Sequence, residues 1–390
     1  MKLYIKIEHL LSVLTLLFGA MLFQSCMEEE SPMPVINNVR LVEADSSISG
    51  AGFGTWIAIQ GSGFSSIREV LFNNIKAELN TTLVTDENII VAIPDAFPKE
   101  ITNNIVVITE GGMAEFDFEV EVPEPIITSL SNELANAGEI LKITGKFMVN
   151  VSKITFPGNI EVTTNIVETE DGTEVNVLVP DGITEAGSVL VTTPSGTGDS
   201  APTYRFNDKT GMICNYDELN KFENWGKQSV IVEASSNPND PPPIDGNYIK
   251  MQSSDEVAPG SWWVDQCATP HSSIVMPDYP SDGSASDYAL KFEYFSVGNF
   301  NTGHIQVQYD WGPEYWFQPY LDEDGNEPEE FISKNWKTAV IPLSEFSNVV
   351  TYGDLKTKTF LLLLLRTPEA SAPLAGFDVN FDNLRVVPIN

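Results

Sequence analysis

Histidine and cysteine are nearly missing from this chain, with three of each in 390 residues. His9, His271 and His304 cannot be grouped with Cys26, Cys214 and Cys267 into any spacing that a zinc site uses. The sequence therefore offers neither metal-centred nor cysteine-nucleophile chemistry, and no cofactor is expected. Positive charge is scarce as well: 21 Lys and Arg stand against 55 Asp and Glu, a formal charge of −34. Nucleic acid needs basic patches that displace its counterions, so it is a poor partner for such a chain. Acidic polysaccharides are disfavoured for the same reason, and a neutral ligand is favoured. Phosphate-binding loops and nucleophile elbows are also absent. Beyond the N-terminus no long apolar run occurs; Phe360 to Leu365 is the longest left, and its length suits a buried strand.

The N-terminus carries the one strong apolar segment. Lys2 and Lys6 precede an almost unbroken apolar run from Leu10 to Phe23, which ends in Gln24-Ser25-Cys26. The run is shorter than the roughly 18 residues of a membrane-spanning helix and closes on small residues, the pattern of a secretory signal. Leu22-Phe23-Gln24-Ser25-Cys26 resembles a bacterial lipobox, which implies a signal peptide over 1–26 and lipidation of Cys26. Glu28-Glu29-Glu30 resemble the acidic tether of surface-exposed outer-membrane lipoproteins, here 27–33. Two acyl-bearing groups on one cysteine would anchor the chain without spanning the membrane. Cys214 and Cys267 then remain, with a disulfide between them an open question.

Removing 26 of the 390 residues leaves 364, enough for two or three domains with real cores. Internal repetition organises the first part. Pro34-Val35-Ile36, Ile59-Gln60-Gly61-Ser62-Gly63-Phe64, Ile93-Pro94 and Gly111-Gly112 recur as Pro125-Ile126-Ile127, Ile143-Thr144-Gly145-Lys146-Phe147, Val179-Pro180 and Ser195-Gly196. The offsets agree: 84 from Gly61 to Gly145, 86 from Pro94 to Pro180, and 84 from Gly112 to Gly196. Each repeat alternates short β-branched runs with Gly, Asn and Pro turns, the pattern of a small antiparallel sandwich. These motifs resemble the immunoglobulin-like IPT/TIG family, over 34–123 and 124–207. The resemblance implies spacer or protein-contact modules, and Val122-Pro123-Glu124-Pro125 reads as a proline-stiffened junction in a stalk.

From about Asp208 the composition changes. Six of the seven tryptophans lie beyond residue 220. Ile305, Val307, Tyr309 and Trp311 alternate with polar residues, as do Phe377, Val379 and Phe381, so both stretches read as strands. Trp336-Lys337-Thr338-Ala339-Val340-Ile341-Pro342-Leu343, followed later by Phe381-Asp382-Asn383-Leu384-Arg385, resembles the jelly-roll domains of carbohydrate-binding modules. The expected fold is thus all-β: two immunoglobulin-like sandwiches in tandem, then a larger jelly-roll-like sandwich over 208–390.

Alternation also sorts the aromatics. Trp311 and Trp336 are expected in the core. Trp262 and Trp263 are neighbours, and neighbours in a strand face opposite ways, so one core cannot take both. Tyr315-Trp316 obeys the same logic, and Trp225 stands outside any clear alternation. Sugar rings pack their axial C–H groups on such aromatic faces while nearby amides and carboxylates bind hydroxyls. Asp265, Gln266, Gln306 and Gln308 are the polar candidates.

The order of parts resembles the surface glycan-binding lipoproteins of Sus-like polysaccharide-uptake systems, with a xyloglucan-type C-terminal domain. The resemblance implies that Trp225, Trp262 and Trp263 build a platform for a neutral polysaccharide, with Tyr315, Trp316 and Gln266 supporting. It further implies a non-enzymatic protein facing the cell exterior, working beside an outer-membrane transporter and companion glycan-binding lipoproteins. Two other readings stay open: an adhesin or scaffold acting through the repeats, and a glycoside hydrolase with paired carboxylates. Asp322-Glu323-Asp324-Gly325-Asn326-Glu327 is oxygen-rich but lacks full EF-hand spacing, so a solvated turn is favoured over a calcium loop.

Overall fold

The computed structural model describes residues 31–44, 46–98, 100–217, 222–224, 229–232, 237–253, 256–260, 270–298, 300–321, 332–333, 335–369 and 371–390. Nearly all regular structure among them is strand, and the chain divides into two compact units, the second beginning at Pro123. The all-β expectation is borne out.

The first unit holds repeat 1. Its strands are β1 (Val35–Leu41), β2 (Gly50–Gly52), β3 (Trp56–Ser62), β4 (Ile67–Phe72), β5 (Ile75–Lys76), β6 (Asn88–Ala92), β7 (Asn104–Thr109), β8 (Gly112–Asp117) and β9 (Glu119–Glu121). One sheet runs β1-β3-β6 and the other β5-β4-β7-β8, with β2 and β9 paired in parallel. Ile57, Ile59, Val70, Phe72, Ile89, Val91, Ile105 and Val107 fill the space between the sheets, taken from the inward-facing positions of each strand.

The second unit starts with repeat 2. Its strands are β10 (Ile126–Leu130), β11 (Ile140–Lys146), β12 (Lys153–Phe156), β13 (Ile160–Val162), β14 (Val167–Glu168), β15 (Glu174–Leu178), β16 (Leu190–Thr193) and β17 (Gly196–Asp199). The sheets run β10-β11-β15-β14 and β13-β12-β16-β17. The duplication is visible atom by atom. In each repeat the opening strand bulges opposite the shared glycine, between Ile36 and Asn38 and between Ile127 and Ser129. A Cβ on Gly61 would meet the Val35 carbonyl at 1.8 Å, and one on Gly145 the Ile126 carbonyl at 2.0 Å. Only glycine lets the backbones approach this closely. Phe64 enters the core below Gly61, but Met148 rather than Phe147 fills the equivalent space below Gly145.

The C-terminal sandwich follows in the same unit. Its strands are β18 (Met212–Cys214), β19 (Phe222–Asn224), β20 (Ser229–Val232), β21 (Tyr248–Gln252), β22 (Pro270–Ser273), β23 (Tyr288–Ser296), β24 (His304–Tyr309), β25 (Glu314–Phe317), β26 (Lys337–Pro342), β27 (Phe360–Arg366) and β28 (Asp378–Pro388). A six-stranded sheet runs β20-β21-β28-β23-β26, with β18 also on β28. A five-stranded sheet runs β19-β22-β27-β24-β25. Leu290, Phe292, Ile305, Val307, Tyr309, Leu363, Leu365, Val379 and Phe381 lie between them. Trp336 is buried as expected, but in a smaller cluster with Val232 and Tyr248, its indole N–H donating to the Pro242 carbonyl at 2.7 Å.

A bulge in β28 decides how repeat 2 meets this sandwich. Asn383 has φ +52°, and the pairing with β23 shifts register between Lys291 and Glu293. The extra residue keeps Leu384 and Val386 facing the core and turns Arg385 to the outer face of the six-stranded sheet. There Arg385 donates to Glu293 at 2.7 and 3.0 Å and to Glu133 of repeat 2 at 2.9 Å. Lys291 donates to Glu133 at 2.6 Å and to the Thr203 carbonyl at 2.6 Å. The Glu133 N–H donates to Thr338 Oγ1 at 2.7 Å, and that hydroxyl donates to Glu293 at 2.8 Å. All four charged side chains are at most 2% exposed. Two acids and two bases neutralise one another, which is how charges survive inside a protein.

Candidate functional site

The outer face of the five-stranded sheet is set by the alternation of β24, β25 and β27. Ile305, Val307 and Tyr309 enter the core, so His304, Gln306 and Gln308 face the other way. Across the ladder Gln306 pairs with Trp316 and Leu364, and Gln308 with Glu314 and Leu362. His304 pairs with Arg366. On this face Trp316 is exposed and Glu314 and Arg366 are half-buried, while His304, Gln306, Gln308, Leu362 and Leu364 are buried.

These groups organise one another. Glu314 accepts from both Gln306 and, at 3.2 Å, Gln308. Arg366 donates to the Gln306 carbonyl oxygen at 3.0 Å, which fixes the amide's orientation. Trp316 is 56% exposed and lies flat on His304, with ring centroids 4.5 Å apart and planes 12° from parallel. Burial, with the Arg366 charge close by, pushes the His304 imidazole down to about 4. The ring is thus neutral at ordinary pH and backs the indole from beneath, leaving one indole face to solvent. At the His304 end of the strands a cavity of about 470 Å³ opens, lined by Asn301, Gly303, Gln318, Tyr320, Pro368 and Ser371.

Trp311 departs from its expected burial and is 56% exposed. The strand stops at Tyr309, because Asp310 and Trp311 take left-handed φ of +45° and +59° to form the hairpin turn. The Asp310 carboxylate accepts from the Thr359 and Phe360 N–H groups at 3.0 and 2.9 Å, pinning that turn. Trp311 consequently leaves the core face and meets Phe360 edge-on at 6.0 Å.

Of the residues singled out in the sequence, Tyr315 and Trp316 do face opposite ways. Tyr315 shares the side of Val307 and packs against Phe346, with centroids 5.8 Å apart. Trp316 joins Gln306 and Gln308 on the outer face. Trp225, Trp262, Trp263, Asp265 and Gln266 lie outside the described residues, as do Cys26, Cys267 and the Asp322–Glu327 loop. Cys214 is a buried free thiol, pushed up to about 11 by burial. Among the described residues no cluster of His, Cys, Asp or Glu could hold a metal ion. His304, Glu314 and Arg366 were not singled out in the sequence. The first two share the polar alternation of Gln306 and Gln308, which was the available signal.

A β-sandwich with an aromatic, amide-rich outer sheet face is the architecture of a carbohydrate-binding domain. Residues 206–388 match the family described as the surface glycan-binding protein B xyloglucan binding domain. A curated relative, an IPT/TIG domain-containing protein of Bacteroides ovatus, is 22% identical over 272 residues, which is 70% of this chain. The chain spans about half the length of that relative, 54%. Among solved structures, the surface glycan-binding protein SGBP-B of Prevotella bryantii is 19% identical. It superposes with a TM-score of 0.70 over 91% of this chain and 98% of its own. SGBP-B from a complex xyloglucan utilization locus of Bacteroides uniformis is 22% identical, with a TM-score of 0.56 over 92% and 100%. The resemblance to surface glycan-binding proteins with IPT/TIG repeats, read from the sequence, is borne out. At these identities the solved structures speak to the fold.

Proposed function

We propose that this protein is a cell-surface lipoprotein that captures a neutral β-glucan of the xyloglucan class for uptake through an outer-membrane transporter. The observation that carries the reading is the Trp316 face. One indole surface is open, its other surface is held by a neutral imidazole, and Glu314 and Arg366 are held beside it by the buried Gln306 and Gln308. A pyranose can place its axial C–H groups on the indole and its hydroxyls against the half-buried Glu314 and Arg366, with little ordering left to do. The match of residues 206–388 to a xyloglucan-binding family supports the ligand class. Trp225, Trp262, Trp263 and Gln266 extend this platform in our reading, and Cys26 carries the lipid anchor. The protein works beside companion glycan-binding lipoproteins.

Binding rather than hydrolysis suits the same face. A glycosidase needs two carboxyl groups across the scissile bond, roughly 5–10 Å apart. Among the described side chains of the face Glu314 is the one carboxylate, and Gln306 and Gln308 already occupy it. Affinity electrophoresis against xyloglucan, mannan, mixed-linkage glucan and starch tests the reading, with reducing-end release measured in parallel. Trp316→Ala should weaken retardation by roughly tenfold in affinity, the worth of a well-packed aromatic contact. Equal migration of wild type in all four gels, or release of new reducing ends, would overturn the proposal.

A further inference from the structure

Repeat 1 holds an aromatic that its fold does not use. Trp56 opens β3 on the face opposite the core residues Ile57 and Ile59, and it is 51% exposed. Its partner across the ladder is Ala92, too small to cover an indole. Beside it lies a groove of about 600 Å³, bordered by Lys76, Glu78, Leu79, Asn80, Pro94 and Asp95. Asn80 is held in place by its own turn: its carbonyl oxygen accepts from the Thr82 N–H at 3.1 Å and hydroxyl at 2.7 Å. The Asn80 amide N–H groups make no hydrogen bond within the described residues and remain to donate.

The duplicated position in repeat 2 shows what the fold itself requires. Ile140 stands 84 residues after Trp56, also opens its strand and is 52% exposed. Its ladder partner is Leu178, 46% exposed, so two aliphatic side chains sit where repeat 1 has an indole beside an alanine. The strand start needs no aromatic. The repeat 1 groove instead assembles the same chemistry as the Trp316 face: an open indole, an oriented amide, carboxylates and a cation.

We infer that the Trp56 groove is a second glycan-contact site, taking a segment of the same neutral β-glucan that the C-terminal sandwich binds. The inference rests on the glycan-binding reading above. A single indole stack is weak alone, and its use is avidity, holding a long chain that is already engaged elsewhere on the protein. Short oligosaccharides gain nothing from it, whereas polysaccharides do.

The test uses the whole mature chain and reads each tryptophan separately. N-bromosuccinimide oxidation is mapped by mass spectrometry with and without long-chain xyloglucan or mixed-linkage glucan. Trp56→Ala and Trp56→Phe are compared with wild type in affinity gels and in calorimetry with a heptasaccharide. Glycan should shield Trp56 as well as Trp316. Trp56→Ala should weaken retention of the polysaccharide about tenfold while leaving heptasaccharide affinity unchanged, and Trp56→Phe should restore most of the loss. If Trp56 is oxidised equally with and without glycan while Trp316 is shielded, the second site falls and the C-terminal reading stands. If neither ring is shielded and wild type is not retarded, both fall together.

Discussion

The two immunoglobulin-like repeats began as one design and now hold themselves together by different means. Repeat 1 closes its own core, and its ion pairs sit on the surface: Lys76 reaches Glu69 at 3.0 Å with both side chains at least 40% exposed. Repeat 2 keeps the same core pairings and the same crowded glycine, with β14 added to its first sheet, yet belongs to one compact unit with the C-terminal sandwich. Its Glu133 is buried between Lys291 and Arg385. Thr203 and Ser131 add hydrogen bonds to Ile389 at 3.1 Å and Thr338 at 2.9 Å. The difference teaches that an immunoglobulin-like module joins a neighbouring sandwich when a few polar residues are recruited at one of its ends. Its core need not change.

Glu133→Ala is the strongest way to break the contrast. It leaves Lys291 and Arg385 buried with too little negative charge, a loss of about 3–5 kcal/mol when one partner of a buried pair is removed. Denaturation followed by Trp336 fluorescence should show the second unit unfolding at markedly lower denaturant. Hydrogen exchange at the buried Ile57 and Ile59 amides should report repeat 1 unfolding where it did before. An unchanged Trp336 transition would mean that the four-residue cluster is idle.

Acidity should divide the units next. His304 is pushed down to about 4 from an ordinary 6.5, and its neutral form is the one the fold holds. The stability linked to it is therefore fully present above pH 6.5 and is lost as pH falls from 6.5 towards 4, on the order of 3 kcal/mol. Repeat 1 contains no histidine and lacks this dependence. Asp382 has the opposite sign: burial, reinforced by Glu293, pushes it up to about 9. Its contribution is greatest below pH 4 and is lost as pH rises towards 9, so Asp382→Asn should stabilise the second unit more at pH 8 than at pH 5. Melting curves of wild type, His304→Gln and Asp382→Asn across pH 4–9 check both signs. Identical pH profiles in the three proteins would refute the assignments.

The smallest effect marks the other end of the scale. Glu69→Ala removes an exposed pair in repeat 1 and should shift stability by no more than about 0.5–1 kcal/mol. A loss comparable to that of Glu133→Ala would erase the distinction between the repeats.

Much of this was legible in the residues because alternation is a local signal. The core faces of β24 and β28 and the opposed directions of Tyr315 and Trp316 follow from a period of two. The duplicated glycines showed the repeats without any knowledge of what crowds them. Trp311 was misjudged because a periodic pattern does not announce where its strand ends. The end is made by the left-handed turn at Asp310, pinned to residues about 50 positions away. Glu133 was illegible for a related reason. In Ser131-Asn132-Glu133-Leu134 it looks like any solvated loop acid, and its partners lie 158 and 252 positions on. Arg385 also depended on the Asn383 bulge, without which the alternation of β28 would aim it at the core.

The sealed position of the Glu133 cluster has a consequence for how the molecule responds to salinity. Dissolved ions screen exposed charges over about 8 Å at physiological ionic strength and about 3 Å at 1 M. They reach the Lys76–Glu69 pair freely, while Arg385 has no exposed surface for them to approach. Raising the salt concentration should therefore fade the electrostatics of repeat 1 and of the heavily acidic surface, and leave the joint between repeat 2 and the sandwich at full strength.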